Sequence, residues 1–171
     1  MRIILAFGLA FALAGCASLS KDECLSGNWD EIGFRDGTNG KTSAFLQRHV
    51  KACEKTGVVP VQSVSEQGRQ RGLPAYCVPS KAYSEGRNGR ALSAVCPAAQ
   101  IPALQAAHSV GVQYHEYTEE INELKSRIQD IGSEIIAEQD VCQRTLLVLE
   151  SQSLTHQISI LERRRAKVSA F

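Results

Sequence analysis

Six cysteines punctuate this chain, and the first decides what the other five can do. Cys16 ends an apolar leader. Arg2 supplies a positive start, and Ile3 to Ala14 is an unbroken run of apolar residues and glycine. The run is too short to span a bilayer, which takes about 20 residues, but it suits the apolar core of an export signal. It closes as Leu13-Ala14-Gly15-Cys16. Small residues there let the chain lie extended in a peptidase site, and the Cys16 thiol can take a diacylglyceryl group as a thioether. The expectation is an exported chain, cut between Gly15 and Cys16 and lipidated on Cys16, with residues 1–15 a discarded signal peptide. Exported space is oxidising, so pairing is expected among the remaining cysteines.

The closing tetrapeptide resembles the lipobox of bacterial lipoproteins. That resemblance implies a lipid-anchored cell-envelope protein. Ala17, where a retained lipoprotein would carry Asp, implies transfer to the outer membrane, facing the periplasm. Several acyl chains hold where one would not, because each buried CH₂ contributes about 0.8 kcal/mol. Basic residues number 19 and acidic ones 18, and Arg2 leaves with the leader, so the mature chain is neutral. Neutrality argues against nucleic acid as a partner. It also offers no polybasic membrane patch, so anchoring is expected from the lipid alone.

Residues 16–97 read as a head of short helices punctuated by glycine. Ser20 and Glu23 form a capping-box pattern ahead of Leu25, Trp29 and Ile32. Asp36-Gly37-Thr38-Asn39-Gly40 is expected to end that helix in a turn. A second helix starts near Thr42 or Ser43, with Phe45, Leu46, His49, Val50 and Cys53 on one face. Gly57 stops it. Ser63 and Glu66 repeat the capping box for a third helix, which ends near Tyr76-Cys77. Pro79 and Ser80 open a fourth, which dies at Gly86 and Gly89. Trp29-x-Glu31-x-Gly33-x-x-x-Gly37 is echoed by Val64-x-Glu66-x-Gly68-x-x-x-Gly72 and, in shorter form, by Tyr83-x-Glu85-Gly86-Arg87-Asn88-Gly89. Each helical glycine costs roughly 0.8–1 kcal/mol against alanine. Either a ligand surface or close helix packing must offset that.

Cys24, Cys53, Cys77 and Cys96 fall in the head, and Cys142 is left over. Four cysteines allow three connectivities. Cys24 and Cys53 are centred on the first glycine turn, and Cys77 and Cys96 on the last. Residues equidistant from a turn meet across antiparallel helices, so Cys24–Cys53 and Cys77–Cys96 are the expected pairs. Each closed loop is worth roughly 3 kcal/mol in the chain-entropy model, which a head this small needs. No Cys-x-x-Cys occurs, which argues against zinc or thioredoxin chemistry.

Cys24 followed by Trp29, Gly33-Phe34-Arg35-Asp36-Gly37, and His49-x-x-x-Cys53 resemble the bacterial lipoprotein family called "domain of unknown function 2799". So do Glu66-x-Gly68-x-x-x-Gly72-Leu73-x-x-Tyr76-Cys77, Gly86-x-x-Gly89 and Val95-Cys96-Pro97. The resemblance covers about residues 16–97, with a similar helical tail behind. Pro74 departs from it and is expected to kink the third helix. The family name implies no activity.

Residues 98–171 form the tail. Val110, Tyr114, Tyr117, Ile121, Leu124, Ile128, Ile131 and Ile135 recur at alternating spacings of four and three, a heptad seam. Leu147, Leu154, Ile158, Leu161 and Val168 keep a second such frame. Two amphipathic helices must cover each other, so the expected fold is all-α: the disulfide-stapled head, then a long antiparallel coiled-coil hairpin. The bend falls at Gly132-Ser133 or at Glu138-Gln139-Asp140. Alternatively the tail pairs with another copy or another envelope protein, and Cys142 forms an intermolecular disulfide or stays a buried or reduced thiol.

Signals for catalysis are poor. No Gly-x-Ser-x-Gly elbow and no phosphate-cradling loop occur. His49, four before Cys53, reads as a packed or capping histidine. His115 and Glu119 could hold a metal only weakly. Glu31 and Asp36 are the one carboxylate pair a hydrolase could use. No catalytic residue, metal site or cofactor beyond the Cys16 lipid is expected. Trp29, Asp36, Tyr76, Tyr83, Arg87 and Arg90 are the candidate recognition surface, since aromatics and arginines dominate hot spots. The reading is a non-enzymatic binding module of the envelope. Its contacts are the membrane through the lipid and a protein through the tail, with a glycan on the glycine-rich head as the alternative. Radiolabelled palmitate is expected to enter the wild-type chain and not the Cys16→Ser variant.

Overall fold

The computed structural model describes residues 17–169, and there the chain is all helix and connection. The leader and Cys16 lie outside the described residues. Seven α-helices follow one another: α1 Lys21–Ser26, α2 Trp29–Thr38, α3 Leu46–Cys53, α4 Gln62–Tyr76, α5 Pro79–Arg87, α6 Ile101–Ala137 and α7 Val141–Lys167. None is long and apolar enough to cross a membrane.

Local chemistry explains most boundaries. Ser20 and Glu23 complete a reciprocal capping box at the start of α1. That helix ends sooner than its apolar pattern suggests: Gly27 takes a left-handed conformation at φ 63°, and Asn28 caps a separate α2. Ser63 and Glu66 form no second box. Val61 precedes α4 without a side-chain cap, and Glu66 instead takes a bidentate grip from Arg69 at 2.7 and 2.6 Å. A charge-assisted fork of this kind outweighs a single backbone bond. Pro74 lies inside α4, which continues to Tyr76.

The glycine echoes are helix crossings. An ideal Cβ on Gly33 would sit 1.9 Å from the Ser65 carbonyl oxygen, and one on Gly37 2.1 Å from that of Arg69. From the other side, Cβ atoms on Gly68 and Gly72 would sit 2.0 and 2.2 Å from the oxygens of Asp30 and Phe34. α2 and α4 therefore touch backbone to backbone, and the packing reading of the glycines is the correct one. Contact positions rise together along both helices, so the two run in the same direction.

α5 and α6 repeat this construction. Gly86 meets the His108 oxygen as Gly37 meets that of Arg69, and Gly111 meets Tyr83 and Arg87 as Gly72 meets Phe34 and Thr38. The ends of α2 and α5 also match. Asn39 and Asn88 each turn a side-chain amide onto the carbonyl four residues back. Lys41 N–H reaches the Asp36 oxygen, and Arg90 N–H the Glu85 oxygen, both at 2.9 Å. Gly40 lies under the Tyr76 ring and Gly89 under the His115 ring, both with positive φ. Asp36-Gly37-Thr38-Asn39-Gly40-Lys41 and Glu85-Gly86-Arg87-Asn88-Gly89-Arg90 are thus one motif used twice.

Disulfides join Cys24 to Cys53 and Cys77 to Cys96, with Cα separations of 5.4 and 5.6 Å. The partners are those expected, but the scaffold is not a pair of simple hairpins. Cys24 on α1 reaches the end of α3 past all of α2, and Cys96 lies in the coil before α6. Each bridge seeds a small core. Cys24 and Cys53 pack with Leu19, Trp29 and Ile32, and Cys77 packs with Tyr76, Ala82, Tyr83, Leu104 and Ala107.

α6 is unbroken through Gly132-Ser133, so the bend is Glu138-Gln139-Asp140 and Asp140 caps α7. α7 returns along α6. Thr118 meets Arg165, Lys125 meets Glu162 and Arg127 meets Glu150. Ile121, Ile158 and Leu161 are buried between the two helices, flanked by Tyr117, Leu124 and Ile128, as the two seams require.

Gly68→Ala and Gly111→Ala are each expected to destabilise the fold by about 3 kcal/mol, since the new methyl meets backbone rather than a movable side chain. A Cβ on Gly132 meets nothing within 4 Å, so Gly132→Ala should stabilise by about 0.8 kcal/mol. Urea titration of the three variants checks both signs.

Candidate functional site

Two regions carry side chains arranged for more than packing. The first lies where the chain enters from position 16. His49, 1% exposed, is held from both sides: Nε2 meets Asp36 Oδ2 at 2.7 Å, and Nδ1 meets Ser18 Oγ at 2.9 Å. Asp36 comes from α2, His49 from α3 and Ser18 from the segment that leads into α1. Hydroxyl, imidazole and carboxylate in series can activate a nucleophile. Here the imidazole is enclosed in the core, and the hydroxyl is two residues from Cys16. The series acts as a clasp that fixes how the chain leaves the head. Leu19, 3% exposed, adds an apolar plug beside it.

The capping box reinforces the clasp. Hydrogen bonds from the Ser20 backbone, the Arg35 guanidinium and the Ser20 hydroxyl, in that order, lower the Glu23 pKa from the ordinary 4.5 to about 2. Arg35 Nη1 stands 2.6 Å from Glu23 Oε1, joining α2 to α1.

The six residues expected to form a recognition surface do not form one. Trp29 is buried in the first core, and Tyr76 and Tyr83 in the second. Asp36 is spent on His49. Arg87 lies 4.2 Å from the Tyr114 ring and donates to its hydroxyl, and Arg90 pairs with Glu85. These aromatics were core because the head is small and built on glycine, so its few large side chains must fill its interior. The Glu31 and Asp36 pair fails too. Five positions apart, they point about 140° apart around α2, and Glu31 is exposed while Asp36 is buried. His115 covers Gly89. Ser18 was missed; its only signal was its distance of two residues from Cys16.

The second region is the hairpin tip. Ile136 is 87% exposed, Val141 73% and Leu149 55%, and Leu146 and Val148 are exposed with them. Cys142 is a free, exposed thiol among them, which removes the buried alternative for it. The inward stripe of α7 is Leu147, Leu154, Ile158 and Leu161, so Cys142, Leu146 and Leu149 form a separate outward stripe at spacings of four and three. Scattered exposed apolar residues are ordinary; these gather at one end of the hairpin, on the end of α6 and the start of α7.

His49→Ala leaves a buried carboxylate without its partner and is expected to cost about 3 kcal/mol. Ser18→Ala should cost about 1 kcal/mol. Denaturation with the disulfides intact measures both. The Glu23 contribution is complete above pH 4.5 and is lost as pH falls through about 2, because its folded pKa is the depressed one. The melting temperatures of wild type and Glu23→Gln should therefore converge across that window.

No curated protein and no solved structure matches the chain. The profile of one family, described as "Protein of unknown function (DUF2799)", matches residues 28–113. The match runs from the cap of α2 past Gly111 on α6, so it holds both glycine crossings and ends just after the second. It covers half of the sequence, and the chain belongs to that family.

Proposed function

We propose that this protein is an exported envelope lipoprotein that acts by binding. In this reading acyl chains on Cys16 hold the head at the outer membrane, the clasp fixes its exit toward the anchor, and the tail carries a contact site to a protein partner. The carrying observation is the exposed apolar group at the hairpin tip, from Ile136 to Leu149. α6 extends about 40 Å from Gly111 to the bend at 1.5 Å per residue, so the tip stands well clear of the glycine crossings. The helices behind it are tied to the head: Tyr83 hydroxyl donates to the Val168 carbonyl at 3.0 Å, and Arg87 and Arg165 both stack on Tyr114. Those ties fix the direction in which the hairpin leaves the head and so present the tip in a set position, which lowers the entropy cost of binding. A glycan site on the glycine-rich face draws no support, because helix backbone covers that face.

Crosslinking in intact cells tests the reading. Wild type should yield a discrete crosslinked species that Leu146→Glu/Leu149→Glu loses, with an unchanged melting temperature because both side chains are solvent-facing. The same crosslinked species from the double variant would remove the tip from consideration.

A further inference from the structure

The neutral net charge of the mature chain hides a local imbalance. Ala17 and Ser18 line an open cleft with Arg48, Lys51, Glu54 and Lys55. Three cations and one carboxylate thus surround the first described residues of the chain. All four charged side chains are exposed, and none of them enters an ion pair among the described residues. Arg48 leans on the Phe45 ring at 5.2 Å, as does Lys41 at 4.9 Å. Lys51 lies in the last turn of α3 and Lys55 just beyond its end, where cations also suit the helix dipole, but Arg48 lies in the first turn, and the dipole does not require any of them beside Ala17.

Position places them there. Cys16 is one peptide bond from Ala17, and its Cα is about 3.8 Å from that of Ala17. The clasp through Ser18 and the Leu19 plug prevent the intervening chain from swinging away. Acyl chains on Cys16 would therefore enter a bilayer beside this face of α3. We infer that Arg48, Lys51 and Lys55 form a membrane-facing surface that meets the phosphates of anionic lipids and sets the tilt of the head on the bilayer. The inference rests on the proposed Cys16 anchor and adds an orientation that the anchor alone would not impose. A basic residue near an anionic surface contributes about one kcal/mol, a ratio of about fivefold, and Glu54 offsets part of the sum.

The test uses the mature, lipidated chain reconstituted into two sets of vesicles, one of phosphatidylglycerol with phosphatidylethanolamine and one of phosphatidylcholine. Lysines are labelled with an amine-reactive reagent and read by mass spectrometry. Lys51 and Lys55 should react about fivefold more slowly on the anionic vesicles at low salt. Lys125 and Lys167 on the hairpin should react equally on both. Protection should fade at about 0.5 M salt, where screening is short-ranged. A chain that floats with both vesicle types while Lys51 and Lys55 react alike overturns the orientation and leaves the anchor standing. A chain that floats with neither overturns the anchor and the orientation together.

Discussion

The head depends on helices that touch through their backbones. With glycine on both sides of a crossing, carbonyl oxygens reach the space a methyl group would fill, and α2 on α4 and α5 on α6 approach more closely than side chains permit. Such contact is short on apolar area, the usual source of folding free energy. It gains instead from dispersion between close-packed main chains and from weak Cα–H···O contacts. Closeness of this kind tolerates little rotation, so each crossing also sets the angle at which later elements leave.

A fold built this way has little interior to fill, and the rest of the head compensates. The two disulfides limit the unfolded chain and serve as the centres of two small cores. The aromatic residues a larger protein could place at its surface are drawn inward: Trp29 beside Cys24–Cys53, and Tyr76 beside Cys77–Cys96. Buried and half-buried polar groups are placed where they join separate elements. His49 links α2, α3 and the entering segment, while Arg69 spans from Glu66 to the Lys41 carbonyl. The family match stops soon after Gly111, which is physically reasonable: without the first turns of α6, α5 would lose the partner for its glycine face. α6 is therefore shared, its start completing the head and its remainder building the hairpin.

Sequence patterns separated what is local from what is not. Heptad spacing identified the inward stripes of α6 and α7 because a two-helix contact repeats with the helix itself. Midpoint reasoning found both disulfide pairs, although α2 intervenes within one and coil holds Cys96 of the other. The echo of glycines was visible, but Glu85 was placed in register with Glu31. Its structural counterpart is Asp36. The acid-Gly-x-Asn-Gly-base hexapeptide was the signal for that alignment, and Gly111, the unmatched half of the second crossing, had no local signature. Capping boxes show the limit of such reading: Ser20 and Glu23 form one, whereas at the start of α4 Arg69 takes the glutamate.

By itself the sequence determined the all-helical class, the cysteine partners and the inward faces of the hairpin, because each follows from spacing along one chain, and its match to the family profile over residues 28–113 set the family. Only the tertiary structure decided that the glycines face other helices, that the aromatics are interior, and that Ser18 meets His49 and Asp36. It also decided that Arg48, Lys51 and Lys55 gather beside Ala17 and that the apolar group at the tip stays uncovered. These are matters of which surfaces remain once helices have crossed, and the direction of a crossing is fixed by contacts between residues far apart in the chain.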